Sequence, residues 1–167
     1  MRARHRRAQR GEAERRSNSD VDASGPPVSG SPRGRGADAT RSGFTIEVAG
    51  EHVRALGPGV DAKHLRRLAR GEVAIDVEIE LHGENSASAK RLVSDTLHEM
   101  MRADERCARI VHGRGRHSEA GPVLKAGVLD WLTSPPLAAF VLCFCSAPPE
   151  EGGAGATLVL LRRVRPA

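Results

Sequence analysis

The chain predicts an α/β fold, a two-layer sandwich of element order βαβαββ, and three observations carry that prediction. Val77, Ile79 and Leu81 alternate with Glu78, Glu80 and His82, the period of a half-buried strand. Ala89, Leu92, Val93, Leu97 and Met100 recur at helical spacing behind Asn85, a credible N-cap. A second strand-like run, Cys107 to Val111, follows that helix. A strand–helix–strand unit in one sheet is parallel and right-handed in nearly all cases, so these two strands should end at one edge of one sheet.

The remaining elements complete the order. Pro122 opens a second helix, with Val123, Leu124, Val128, Trp131 and Leu132 on its buried side, and Pro135-Pro136 stops it. Phe140 to Cys145 is a third strand, Pro148 to Gly155 a loop, and Thr157 to Arg163 a fourth strand. Residues 73–167 form the main domain, about 90 residues and enough for one core. Residues 43–72 read as an accessory lead-in. There Phe44, Ile46 and Val48 alternate, Ala49-Gly50-Glu51 turns, and His52 to Ala55 returns. After the break at Gly57-Pro58-Gly59, Asp61 caps a short helix carrying Leu65, Leu68 and Ala69, with Arg66, Arg67 and Arg70 on its other side. Residues 1–42 read as a disordered basic arm, almost without large apolar groups and containing Gly30-Ser31-Pro32-Arg33-Gly34-Arg35-Gly36. Such an arm docks on nucleic acid or is merely a solvated tail.

Composition narrows the function classes. The 167 residues carry a net charge of +5 with a pI near 9.8, which favours polyanionic partners, nucleic acid first. Aromatic residues are 2%, with one Trp, three Phe and no Tyr, so recognition would rest on phosphates rather than on stacked bases. The N-terminal arginines have no apolar segment behind them, which is unlike a secretory signal. No apolar run approaches the roughly 18 residues of a membrane span. The expectation is a cytoplasmic protein with reduced thiols at Cys107, Cys143 and Cys145 and no membrane partner. Cys143 and Cys145 read as small core residues; their spacing to any histidine fits no standard zinc site, and no metal site is expected.

Two His-Gly pairs concentrate the chemistry. His82-Gly83 ends the first strand of the main domain, and His112-Gly113-Arg114-Gly115-Arg116-His117 follows the second. Ligands of open parallel sheets sit beyond the carboxyl ends of the strands. Glu80, two residues before His82 on a strand, should share its face and support the imidazole for acid–base work. Gly113 and Gly115 let main-chain N–H groups approach a phosphate, and Arg114 and Arg116 can hold its oxygens. Gly152-Gly153-Ala154-Gly155 offers turn geometry or a second nest, and Arg162 at the end of the last strand reads as a phosphate contact or a solvated end. Two imidazoles across one phosphate, His82 with His112 or His117, suit cleavage of a phosphodiester. With RNA the 2′-hydroxyl is the nucleophile and no metal is required; with DNA water must attack, and Mg²⁺ would help.

These residues resemble the Smr, or small MutS-related, domain. Glu80-Leu81-His82-Gly83 stands where that family has Asp-Leu-His-Gly, His112-Gly113-Arg114-Gly115 matches its His-Gly-x-Gly loop, and Gly152-Gly153-Ala154-Gly155-Ala156 its late Gly-Gly-x-Gly-Ala. Leu65-Arg66-Arg67-Leu68 with Gly71-Glu72, His117, Trp131-Leu132 and Ser146-Ala147-Pro148 resemble stand-alone bacterial members. The resemblance implies a fold like the C-terminal domain of translation initiation factor three. It also implies endonuclease activity, on mRNA at collided ribosomes for stand-alone members and on branched or supercoiled DNA for others. Carried over by position, Glu80 and His82 are the strand-end pair and His112, Gly113, Gly115 and His117 the loop. The departure is Glu80 for Asp, where one extra methylene moves a carboxylate about 1 Å and such an error can cost about a hundredfold in rate. The first expectation is therefore an RNA endonuclease, with a DNA nickase and a non-cutting nucleic-acid or ribosome binding module as alternatives.

Overall fold

The computed structural model describes residues 6–8, 39–115 and 123–163. Among these residues, eight strands and three α-helices follow one another: β1 (Arg6–Ala8), β2 (Ala39–Arg41), β3 (Phe44–Ala49), β4 (His52–Leu56), α1 (Ala62–Ala69), β5 (Val77–Glu80), α2 (Ser86–Arg102), β6 (Cys107–Val111), α3 (Val123–Leu132), β7 (Val141–Ser146) and β8 (Ala156–Leu161). All eight strands join one sheet in the order β1-β5-β6-β8-β7-β4-β3-β2. From β5 onward the order is βαβαββ, as the periodicities predict. β5 and β6 pair in parallel, and β8 runs antiparallel to both of its neighbours, β6 and β7.

Each element has a local cause. Asn85 accepts the Ser88 N–H at 2.9 Å and starts α2, and Asp61 does the same for Lys63 at 2.8 Å in α1. The Asp76 carboxylate accepts the amides of Arg106 and Cys107 at 2.8 and 3.0 Å, which sets the start of β6 against the lead-in to β5. In β8 every residue is buried, the mark of a strand covered on both faces.

Both faces are indeed covered, unequally. Val77, Ile79, Leu81, Ala108, Ile110, Phe144, Val159 and Leu161 face α2 and α3 and form the larger core with Val93, Leu97, Met100, Val128 and Leu132. Cys107, Cys143, Cys145, Leu158 and Leu160 face the other way and pack with Leu68 of α1. The three thiols are fully buried within that second cluster, and burial pushes Cys107 and Cys143 up to about 12 and Cys145 to about 11; they are packing groups, as expected.

The lead-in hairpin is part of the sheet. β4 pairs with β7, Arg54 opposite Cys145 and Leu56 opposite Cys143, and the Phe44 and Phe144 rings lie 6.1 Å apart in the main core. Two stretches of the expected arm also pair: β1 beside β5 and β2 beside β3. The rest of that arm lies outside the described residues. Among the described residues no helix is long and apolar enough to cross a membrane.

Candidate functional site

β5, β6 and β7 run the same way, so their C-terminal ends share one edge of the sheet, and antiparallel β8 starts there. Four segments meet at this edge: the turn after β5, the loop after β6, the β7–β8 loop, and the β3–β4 turn, because β4 runs antiparallel to β7.

His82 is exposed and lies just beyond β5. The ladder continues one residue past the strand, with Leu81 N–H donating to Val111 O at 2.9 Å, and Glu84 N–H returns to Leu81 O at 3.1 Å to close a turn. Extending this register sets Leu81 beside His112 and His82 beside Gly113. The Glu80 carboxylate accepts the main-chain N–H of His82 at 3.1 Å. This corrects the expectation that Glu80 orients the imidazole. The strand stops at Glu80, and a carboxylate two residues before a turn reaches the turn's own amide more readily than the side chain beyond it. Among the described residues, the His82 ring has no hydrogen-bond partner.

His112 has the opposite environment. It is buried, Nδ1 donates to Gly113 O at 2.7 Å, and Nε2 accepts from the Thr157 hydroxyl at 2.9 Å. A carbonyl can only accept, so Nδ1 carries the proton and the neutral ring leaves Nε2 to accept. Burial pushes its pKa below the ordinary 6.5, against the pull of the Gly113 carbonyl and with the nearby Lys125 charge. Sequence reasoning offered His112 as an acid or base; both of its nitrogens are already engaged within the protein.

The two glycine-rich loops lie against each other. Gly155 O accepts both the His112 and Gly113 amides, at 3.1 and 2.9 Å. A Cβ on Gly153 would stand 3.2 Å from the Arg114 guanidinium, and one on Gly155 would stand 3.6 Å from Arg114 Cγ. Gly153 has φ 56° and Gly152 φ 112°, a backbone that side chains resist, so these glycines make the floor along which Arg114 lies. Arg114 is exposed above it, and Gly115 ends the described part of the loop. Arg116 and His117 lie outside the described residues.

Arg162 is not brought to this edge. It follows the end of β8, where its N–H donates to Phe140 O at 2.7 Å and its guanidinium to Pro58 O at 3.4 Å. That is the length of a strand, roughly 17 Å, from the site. The reason is direction: β8 is the antiparallel return, so its beginning and not its end faces the site.

Two residues that sequence reasoning missed belong here. Thr157 is the one hydroxyl in the otherwise apolar β8 and holds His112; a polar residue in a wholly buried strand was its signal. Lys125, in the first turn of α3, is half-buried, and its Nζ donates to Glu51 O in the β3–β4 turn. Burial pushes its pKa down, the Glu51 charge opposes this, and the Arg114 charge adds to it. Among the described residues, no group of three or more His, Cys, Asp or Glu is set to hold a metal.

The fold agrees with what the chain is similar to. A match to the Smr domain runs over residues 79–162, half of the chain. A ribosome rescue factor SmrB of Aliivibrio salmonicida is 38% identical over 109 residues, 65% of this chain and 57% of that protein. The SmrB of Yersinia enterocolitica is 36% identical over 108 residues, with the same coverage. The chain thus spans 57% of the length of these curated relatives. Among solved structures, a stand-alone small MutS-related protein of Escherichia coli, YdaL, superposes with a TM-score of 0.57 at 24% identity, over 66% of this chain and 82% of that one; that likeness bears on the fold.

Proposed function

This chain belongs to the Smr domain family, and from that premise we propose that it is an endonuclease that cleaves RNA in a ribosome context by acid–base chemistry at His82. One observation carries the reading: an exposed imidazole with no partner among the described residues stands at a sheet edge beside an exposed arginine and a glycine-rich loop. The relatives named as ribosome rescue factors support the ribosome context.

In the proposed step the 2′-oxygen attacks phosphorus while a base removes its proton. The bond from phosphorus to the 5′-oxygen breaks, and an acid protonates that oxygen. The products are a 2′,3′-cyclic phosphate and a 5′-hydroxyl. His82 takes one role and His117 the other, since His112 is committed to its neighbours. Arg114 holds the non-bridging oxygens as charge develops on them. His112 and Thr157 position the loop, and Glu80 fixes the main chain under His82. The family's Asp is replaced here by a carboxylate that grips an amide, which favours, as a second reading, a module that binds without cutting.

The test pairs the wild-type protein with His82→Ala on single-stranded RNA, branched DNA and supercoiled plasmid, each in EDTA and in Mg²⁺. RNA cleavage in EDTA that drops at least about a hundredfold in the variant, the usual scale for removal of an acid or base, supports the reading. Undiminished cleavage in His82→Ala sinks it. Nicking of DNA only in Mg²⁺ moves the activity to a metal-assisted nickase, and salt-sensitive binding with no cleavage, with ribosomes present or absent, moves it to the binding module.

A further inference from the structure

Several positive charges among the described residues are answered by acids. Lys63 pairs with Asp61, Arg67 and Arg70 with Glu72, and Arg109 with both Glu78 and Glu151. Arg109 lines a cleft of about 250 Å³ on the α1 face with Gly71, Val73, Ile75 and Leu158, but its charge is already answered twice. Arg114 and Lys125 differ. Neither is in an ion pair among the described residues, yet Arg114 lies near enough for its charge to act on Lys125. Lys125 is also half-buried. Burying a cation beside a like charge is unfavourable unless an anion completes the set.

The surroundings of Lys125 place it at the site edge. Its stem lines a crevice of about 10 Å³ with Val53, Val128, Phe144, Ser146 and Thr157, above β4, β7 and β8. The Ser146 hydroxyl accepts the Val53 N–H at 2.9 Å, and Lys125 itself reaches Glu51 O, so the β3–β4 turn is held at the site edge from two sides. A carbonyl takes one of the three ammonium donors and carries no net charge; the Glu51 carboxylate attracts Lys125 more strongly than Arg114 repels it, but no ion pair joins the two. From β5, which His82 follows, to β7 is three strand neighbours, about 14 Å at the usual strand spacing.

We propose that Lys125 is a second phosphate contact of this site, distant from the scissile linkage, so that the edge from His82 past Arg114 to Lys125 takes a single RNA strand several nucleotides long. This rests on the RNA reading above and adds to it the length of the substrate and the far end of its track. The β3–β4 turn, clamped by Lys125, is the wall at that end. A span of this size suits the roughly four nucleotides of the shortest single-strand grooves. Glu51, whose charge acts on Lys125, tempers the attraction.

The test uses the full chain and 2′-O-methyl oligonucleotides, which lack the nucleophile and cannot be cut. Fluorescence anisotropy is read for di-, tetra-, hexa- and octanucleotides across a salt series. Wild-type affinity should climb from the dinucleotide to the tetranucleotide and then level. Lys125→Gln should weaken the hexanucleotide about tenfold while barely changing the dinucleotide, and lower the salt slope by about 0.7, the value for one phosphate left without its cation. Lys125→Arg should restore hexanucleotide binding, and Glu51→Gln, which leaves the clamp's carbonyl in place, should tighten it. An affinity that is flat from the dinucleotide upward, or a Lys125→Gln protein that binds the hexanucleotide like wild type, overturns the proposal. Failure of the cleavage reading would look different: uncut 2′-hydroxyl RNA, with the length dependence of binding intact.

Discussion

His82 and His112 end neighbouring strands, and their surroundings separate their roles. Burial holds the pKa of the His112 ring below the ordinary 6.5, against the pull of the Gly113 carbonyl. Its folded pKa lies below the unfolded value, so the unfolded chain binds more protons in that range and stability rises with pH there. The contribution is complete above the ordinary 6.5 and fades as pH falls from that value through the folded pKa. Urea midpoints taken across this range should therefore drop on the acid side. His112→Gln should flatten that dependence, and it should lower stability by about 1–3 kcal/mol by disturbing the Thr157 hydroxyl and the Gly113 carbonyl. A variant that keeps the wild-type pH slope would show that another group causes it.

Among the elements, the hairpin of β3 and β4 is where sequence and structure diverge most usefully. Its alternation at Phe44, Ile46 and Val48 was legible, as was α2, because each repeats its apolar residues at the period of its own geometry; β6 and β8 were legible as short apolar runs. What periodicity cannot carry is which strand a hairpin joins. The register of β4 on β7 comes from main-chain pairing and from the packing of Phe44 on Phe144, which ties together residues far apart in the chain. β1 and β2, of three residues each, have too few apolar groups to announce themselves. The seating of the hairpin depends on Gly57, whose N–H donates to Leu142 O at 2.8 Å and whose absent Cβ would stand 2.7 Å from the same oxygen. Gly57→Ala should cost about 1–3 kcal/mol, the usual scale of overpacking, read from the urea midpoint. A neutral result would mean that β4 can shift on β7 without penalty.

At the scale of the whole molecule, the direction of each strand decides which residues can act together. The His-Gly pairs could be placed at one edge from sequence because a β–α–β unit fixes both strand directions. Arg162 could not, since its position depends on β8 turning back beside β7. Arg114 and Arg162 thus make a matched test of sidedness. Arg114→Gln should weaken RNA binding about tenfold, the scale of removing one bidentate arginine pairing, and Arg162→Gln should leave it within about twofold. Equal weakening in the two variants would place RNA around the molecule rather than along one edge.

The Gly155 carbonyl that receives the amides of both His112 and Gly113 has a thermodynamic consequence. Bonded in this way, the His112-Gly113 segment and the β7–β8 loop cannot open or close separately. The floor of the site is therefore preorganised: little chain entropy is left to lose when a strand arrives, and affinity is set by fit to a rigid surface rather than by closure around the ligand. Selectivity then falls on the substrate, which must bring its backbone already splayed to the spacing that the protein presents.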